Sequence, residues 1–167
     1  MRTVNELYEA MQRIAPLELA ESWDNPGLLV DCGRSVDRVL VTLDITPEVV
    51  QEAAARGCGL IVAHHPVIFS PLKRLEPRDV PFQLVQNGIS AICMHTNLDA
   101  AEGGVNDILA RTLELKDMEM LTEEKIGRVG TLKCELPLVE FLPFVIKSLG
   151  CHGLRYVSCG KDVHRVA

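Results

Sequence analysis

His64 and His65 close the run Gly59-Leu-Ile-Val-Ala-His-His-Pro66, and a third histidine opens His95-Thr-Asn-Leu-Asp99. Imidazole is the commonest metal ligand and the natural proton carrier near neutral pH. A glycine followed by four apolar residues reads as a short buried strand, and Pro66 holds the residue before it extended. Consecutive side chains of an extended chain point to opposite sides. His64 and His65 are therefore expected to serve two neighbouring ions, or one ion and one substrate, rather than chelate one ion together. A lone histidine at a strand end is ordinarily a solvated or hydrogen-bonded side chain. Two adjacent ones, with a third downstream, shift the balance toward a site.

The cysteines offer a weaker alternative. Cys32, Cys58, Cys93, Cys134, Cys151 and Cys159 are spread along the chain without a CxxC pair, which argues against a disulfide framework. Cys93 and Cys134 lie in apolar, strand-like runs and read as small core residues. Cys151, His152, Cys159 and His164 could be drawn as a zinc site, but their spacing matches no compact zinc module.

The elements that must position the histidines alternate in period. Val4, Leu7, Tyr8, Met11 and Ile14 form one helical stripe with Thr3 as its N-cap. The loop Trp23-Asp-Asn-Pro-Gly27 leads into a strand over 28–32, and 36–43 reads as a second strand. Thr46-Pro47 supplies an N-cap and a first-turn proline for a helix to about Arg56. The strand before His64 follows, then a long loop with Pro66, Pro71 and Pro77. A helix over 80–86 closes at Asn87-Gly88, and a buried strand spans 89–94. Gly103 to Leu113 reads as a further helix.

Strand–helix alternation of this kind predicts an α/β fold: a mainly parallel βαβ sheet with helices on both faces. Such sheets carry their sites beyond the carboxyl ends of the strands. Three predicted strands end in Asp44, in His64-His65, and in His95 through Asp99, so the polar candidates fall on one sheet edge.

After about Leu115 the character changes. A strand is expected over 127–135 and a helix over 138–149, with Pro143 inside it unless it starts near Phe141. Further strands are expected over 154–159 and 163–167. The last stops mid-pattern, so the second α/β half reads as truncated. The expected division is 1–123 for the half carrying the site and 124–167 for a partial second half.

The chain has 167 residues, 47% of them apolar, and a net charge of −6. That is about one domain with a real core. The acidic balance, without a Lys/Arg block, argues against a nucleic-acid or anionic membrane surface. No apolar run approaches the roughly 20 residues of a membrane span. The first residues pass directly into an amphipathic pattern without a signal-peptide core, so a cytoplasmic protein is expected.

Five segments in order carry a resemblance: Trp23-Asp-Asn-Pro-Gly-Leu28, Thr42-Leu-Asp44, Ile61-Val-Ala-His-His-Pro66, His95-Thr-Asn-Leu-Asp99 and Gly103-Gly-Val-Asn106. Together they resemble the GTP cyclohydrolase 1 type 2 homologue family, also called NGG-interacting-factor-like proteins. The match runs from residue 1 to about 115 and more weakly to 167. The resemblance implies a dinuclear metal site between two α/β halves, often within a toroidal hexamer. It implies that His64, His65 and Asp99 are metal ligands. The family's remaining ligands, a His and a bridging Glu, lie near the C-terminus of a longer chain, and this sequence has neither in the expected place. It reads as a fragment, or as a natural half whose site needs a partner chain.

The chemistry implied is metal-assisted hydrolysis of a small molecule, with a purine nucleotide such as GTP suggested by the family name. His95 is either a substrate contact with an acid/base role or a hydrogen-bonding support for Asp99. Asp44 supports a ligand or merely neighbours a helix cap. The Trp23-Asp24-Asn25 loop lines the pocket or, as is more common for such a tryptophan, Trp23 anchors packing. Imidazole and carboxylate donors suit zinc, iron, nickel or manganese, and no nucleophile is assigned. The other reading is a non-catalytic metal-binding scaffold or interaction module, since the family's second name records a partner.

Overall fold

The computed structural model describes residues 1–123 and 126–167. The chain divides into two compact units, Met1–Ala101 and Glu102–Ala167. The boundary expected at 123/124 involves residue 124, which lies outside the described residues.

In the first unit, Thr3 caps helix α1 (Val4–Ile14) through a reciprocal pair: its hydroxyl accepts from the Glu6 N–H, and the Glu6 carboxylate accepts from the Thr3 N–H. Val4, Leu7, Tyr8 and Met11 pack inward as expected. Ile14 does not; it is largely exposed at the end of the helix. Strand β1 (Arg2–Thr3) pairs antiparallel with β3 (Ser35–Val36), and β2 (Gly27–Val30) lies between them in sequence. The single strand expected over 36–43 is thus broken, with β4 starting afresh at Val39 and ending at Thr42.

Thr46 caps helix α2 (Pro47–Ala55), its hydroxyl accepting from the Val49 N–H, and Pro47 starts the helix where no N–H is needed. Strand β5 (Leu60–Ala63) follows, then the proline-rich loop, helix α3 (Val80–Asn87) and strand β6 (Ser90–Cys93). Gly88 ends α3 at φ 67°, a left-handed conformation that glycine adopts without strain. A short helix α4 (Thr96–Ala100), not expected from the sequence, begins one residue after His95.

The sheet order is β2-β6-β5-β4. β4, β5 and β6 are parallel, and β2 runs antiparallel beside β6. Alternation along β5 and β6 separates two packed faces. Ile61, Ala63, Ala91 and Cys93 meet Val50 and Ala53 of α2 and Leu84 of α3. Leu60, Ile92 and Met94 meet the apolar stripe of α1. Helices therefore cover both faces, as the sequence predicts. Each Leu or Ile buried this completely stabilises the unit by about 1.5–3 kcal/mol.

The second unit holds helix α5 (Val105–Thr112), an antiparallel sheet of β7 (Lys116–Met120), β8 (Arg128–Leu136) and β9 (Val163–Val166), and helix α6 (Leu138–Leu149). Ala110, Leu115 and Leu132 form its core with Phe141, Phe144, Val163 and Val166 packed against them. The Asp107 carboxylate accepts from the Arg128 guanidinium inside this unit, and from the Gly103 N–H at 2.7 Å. α6 starts at Leu138 and keeps Pro143 within it, so the Val139 carbonyl has no N–H four residues on to accept from. Three expectations fail here. Residues 154–159 are irregular rather than a strand, β7 was not foreseen, and Cys134 is exposed on β8 rather than buried.

Candidate metal centre

Register builds the site. Thr42 lies opposite Ala63, and Ala63 opposite Cys93, so β4, β5 and β6 end level with one another. The residues that follow emerge side by side: Asp44, His64 with His65, and His95. β2 enters from the opposite direction, and Gly27 pairs with Cys93. That pairing sets the preceding loop, with Asp24, just beyond the end of β6.

The strand stops at Ala63, so the side-chain alternation expected of His64 and His65 no longer applies. Their ring centroids are 5.0 Å apart, and His95 lies 5.1 Å from His64 and 5.6 Å from His65. One ring nitrogen from each of the three lies within 4.8 Å of the others. Among the described residues this is the one group of three or more His, Cys, Asp or Glu side chains so arranged; Cys151, His152, Cys159 and His164 do not converge.

Each imidazole is oriented through Nδ1. His64 Nδ1 lies 2.9 Å from the Met94 carbonyl oxygen, His65 Nδ1 2.7 Å from Asp44 Oδ1, and His95 Nδ1 2.9 Å from Asp24 Oδ1. A carbonyl and two carboxylates can only accept, so Nδ1 carries the proton in each ring. Nε2 is then the nitrogen with a free lone pair in all three. This is the support usually found behind metal-binding histidines. Asp44, left open between two readings, contacts His65, while Thr46 caps α2.

Asp24 is expected from the sequence only as part of a pocket-lining loop, and its contact with His95 is the feature that sequence reasoning missed. Its side chain is 0% exposed. Besides His95 it accepts from the Thr96 N–H at 3.1 Å, the Thr96 hydroxyl at 2.5 Å and the Asn25 N–H at 2.7 Å. Burial raises the pKa of this carboxyl, but the bonds from Thr96, His95 and Asn25 outweigh it and hold the group below the ordinary carboxylate value. Asn97, fully buried, ties the same turn down by donating to the Ala15 carbonyl at 2.8 Å and accepting from the His95 N–H at 2.9 Å.

Asp99 sits on α4 with Oδ1 3.7 Å from His64 Nε2. Two metal bonds of about 2.1 Å at a tetrahedral angle set their donors ~3.4 Å apart, so this pair has the spacing of two ligands on one ion. His95, which the sequence reading kept as a substrate contact or a support for Asp99, stands in the cluster itself. Three neutral imidazoles and a carboxylate fit a borderline divalent cation. Burial pushes the Cys93 thiol up to about 11, and Cys93 is not among the side chains that converge here.

A histidine cluster beyond the carboxyl edge of a parallel-centred sheet marks an α/β protein with a polar site at its strand ends. The chain belongs to the Duf34/NIF3 (NGG1p interacting factor 3) family, whose model matches residues 2–167. It is similar to NGG1-interacting factor 3 of Saccharomyces cerevisiae, 42% identical over 125 residues covering 66% of this chain and 43% of that protein. It is also similar to a GTP cyclohydrolase 1 type 2 homolog of Clostridium perfringens, 33% identical over 93% of this chain and 63% of the relative. The chain thus spans about two fifths to two thirds of the length of these curated relatives. Among solved structures, a Staphylococcus aureus hypothetical protein, SA1388, superposes with a TM-score of 0.86 at 26% identity, covering 98% of this chain and 70% of that one. A Bacillus cereus protein related to NIF3 reaches 0.90 at 22% identity over 99% of this chain and 75% of the other, a likeness of fold.

Proposed function

We propose that His64, His65, His95 and Asp99 hold a divalent metal ion and that the protein hydrolyses a small molecule at it. The observation carrying this reading is the shared arrangement of the three imidazoles, each hydrogen-bonded through Nδ1 and each bringing one ring nitrogen within 4.8 Å of the others. A divalent ion held there supplies a Lewis acid that brings the pKa of coordinated water toward neutrality and stabilises developing negative charge. The chain's own residues do the rest. Met94, Asp44 and Asp24 fix the imidazole tautomers, and Asp24 with Asn97 holds the His95 turn in place. The donors named suffice for one ion with an open position; a second ion requires further ligands. A purine nucleotide such as GTP is the substrate suggested by the relatives' name.

The test is turnover of GTP by metal-loaded protein. Hydrolysis that is abolished by a chelator and restored by zinc, iron, nickel or manganese supports the enzyme. Metal binding without turnover across a nucleotide panel supports the other reading, a metal-stabilised interaction module, which the name of the yeast relative favours.

A further inference from the structure

We propose that Trp23 and Phe69 form a stacking subsite that seats a planar heteroaromatic ring of the substrate beside the histidine cluster; this rests on reading the cluster as a centre that acts on a small molecule. Trp23 is not a packing anchor. It is 59% exposed, and Phe69 is 52% exposed. Two aromatic side chains open to water are unfavourable unless something covers them in use. Their centroids are 6.1 Å apart, and the Trp23 ring meets His95 edge-on at 6.4 Å. A continuous series of rings therefore runs from Phe69 through Trp23 and His95 to His64 and His65.

The platform and the cluster share one frame. Trp23 is bonded to Asp24, whose carboxylate holds His95 and Thr96. The next residue, Asn25, donates its side-chain amide to the Ile68 carbonyl at 2.6 Å, fixing the residue before Phe69. The two rings are thus tied to the same 24–25 segment that holds His95. A flat ring laid on Trp23 would lie beside His95, whose ring centroid is 6.4 Å from that of Trp23. An aliphatic substrate would gain little from such a surface, whereas a π-face matches it.

Trp23 is the single tryptophan of the chain, so its fluorescence reports on the subsite directly. The full chain is titrated with guanosine monophosphate and, separately, with ribose 5-phosphate, which has the sugar and phosphate without the ring. Saturable quenching by the nucleotide alone is expected. Phe69→Ala should weaken nucleotide binding about fivefold or more, and Trp23→Ala, followed by calorimetry, at least as much. Equal response to both compounds, or wild-type affinity in both variants, overturns the subsite. Zinc uptake measured on the same wild-type preparation separates the two readings. Zinc bound with no ring-dependent quenching defeats the subsite and leaves the metal centre. Ring-dependent quenching lost in Phe69→Ala, with no zinc bound, keeps the subsite and defeats the centre.

Discussion

Asp24 is buried while its partner His95 retains a free nitrogen, so the carboxylate acts on the cluster through the imidazole. Replacing a carboxylate that supports a metal-binding histidine typically lowers affinity about 10–100-fold. Asp24→Asn is expected to weaken zinc binding in that range in a competition titration against a chromophoric chelator. Unchanged affinity would remove Asp24 from the site. Asp24→Ala should in addition destabilise the protein by roughly 2–3 kcal/mol in urea denaturation, because the Thr96 and Asn25 donors lose their acceptor. The histidines were legible from residue type and strand position, and Asp99 from motif resemblance. The support that Asp24 gives His95 was not, because the two lie 71 residues apart and only strand register brings them together. A clue was present in an acidic residue fixed between Trp23 and Asn25-Pro26-Gly27. Sequence alone does not choose between pocket lining and packing for Trp23, for a related reason: it reports which residues are apolar and is silent on which of them stay uncovered.

Helices α1, α2 and α3 and strands β5 and β6 were readable because caps, prolines and apolar period agreed at each. The elements that escaped lack such agreement. β7 is exposed at every residue and shows no buried face, while residues 154–159 have strand-forming types but no partner strand in the described sheet. Two glycines separate conformational cost from steric cost. Gly88→Ala places a Cβ 2.3 Å from Arg34 side-chain atoms at positive φ, and a flexible guanidinium can move away. About 1 kcal/mol is expected there. In β8, a Cβ on Gly130 would lie 2.8 Å from the Lys116 carbonyl oxygen. Backbone cannot yield so easily, so Gly130→Ala should cost more than Gly88→Ala in parallel urea melts. Equal costs would show that β7 gives way.

The buried pair on α5 and β8 has a pH signature. The Gly103 N–H, the Arg128 guanidinium and Arg111 hold the Asp107 carboxyl below its ordinary value of 3.8, against the opposing effect of burial. A depressed folded-state pKa contributes stability that is present above the unfolded value and lost as pH falls through the folded one. The second unit should therefore weaken below about pH 4. Asp107→Asn should be less stable near neutrality and show a flatter acid limb, measured by denaturation between pH 3 and 7. An unchanged acid limb would show that Asp107 does not set it.

For the whole molecule, ion content and assembly are the quantities to measure. The four donors of the cluster lead us to expect fewer than two ions per chain by elemental analysis of protein purified without added metal. Two tightly held ions would mean that ligands come from elsewhere. β4 ends the four-stranded sheet with Val41 77% exposed, and β9 ends the three-stranded sheet of the second unit. Open edges with apolar neighbours invite pairing with another chain. Light scattering is therefore expected to show a dimer or larger species, and a strict 18.4 kDa monomer at high concentration would count against it. No helix among the described residues is long and apolar enough to cross a membrane.

The antiparallel pairing of β2 with β6 is expected to form late in folding. β4, β5 and β6 can assemble through successive helical crossovers, each closing a modest loop. Bringing Gly27 opposite Cys93 closes a much longer one, and non-local pairings of this kind slow folding. Before that step His64 and His65 can stand beside His95, but Asp24 is not yet in place to hold the His95 ring. Full zinc affinity should then appear with the last kinetic phase of refolding, later than the helical signal. Tight binding would mark chains that have completed their topology, and the ion would stabilise those chains alone by mass action.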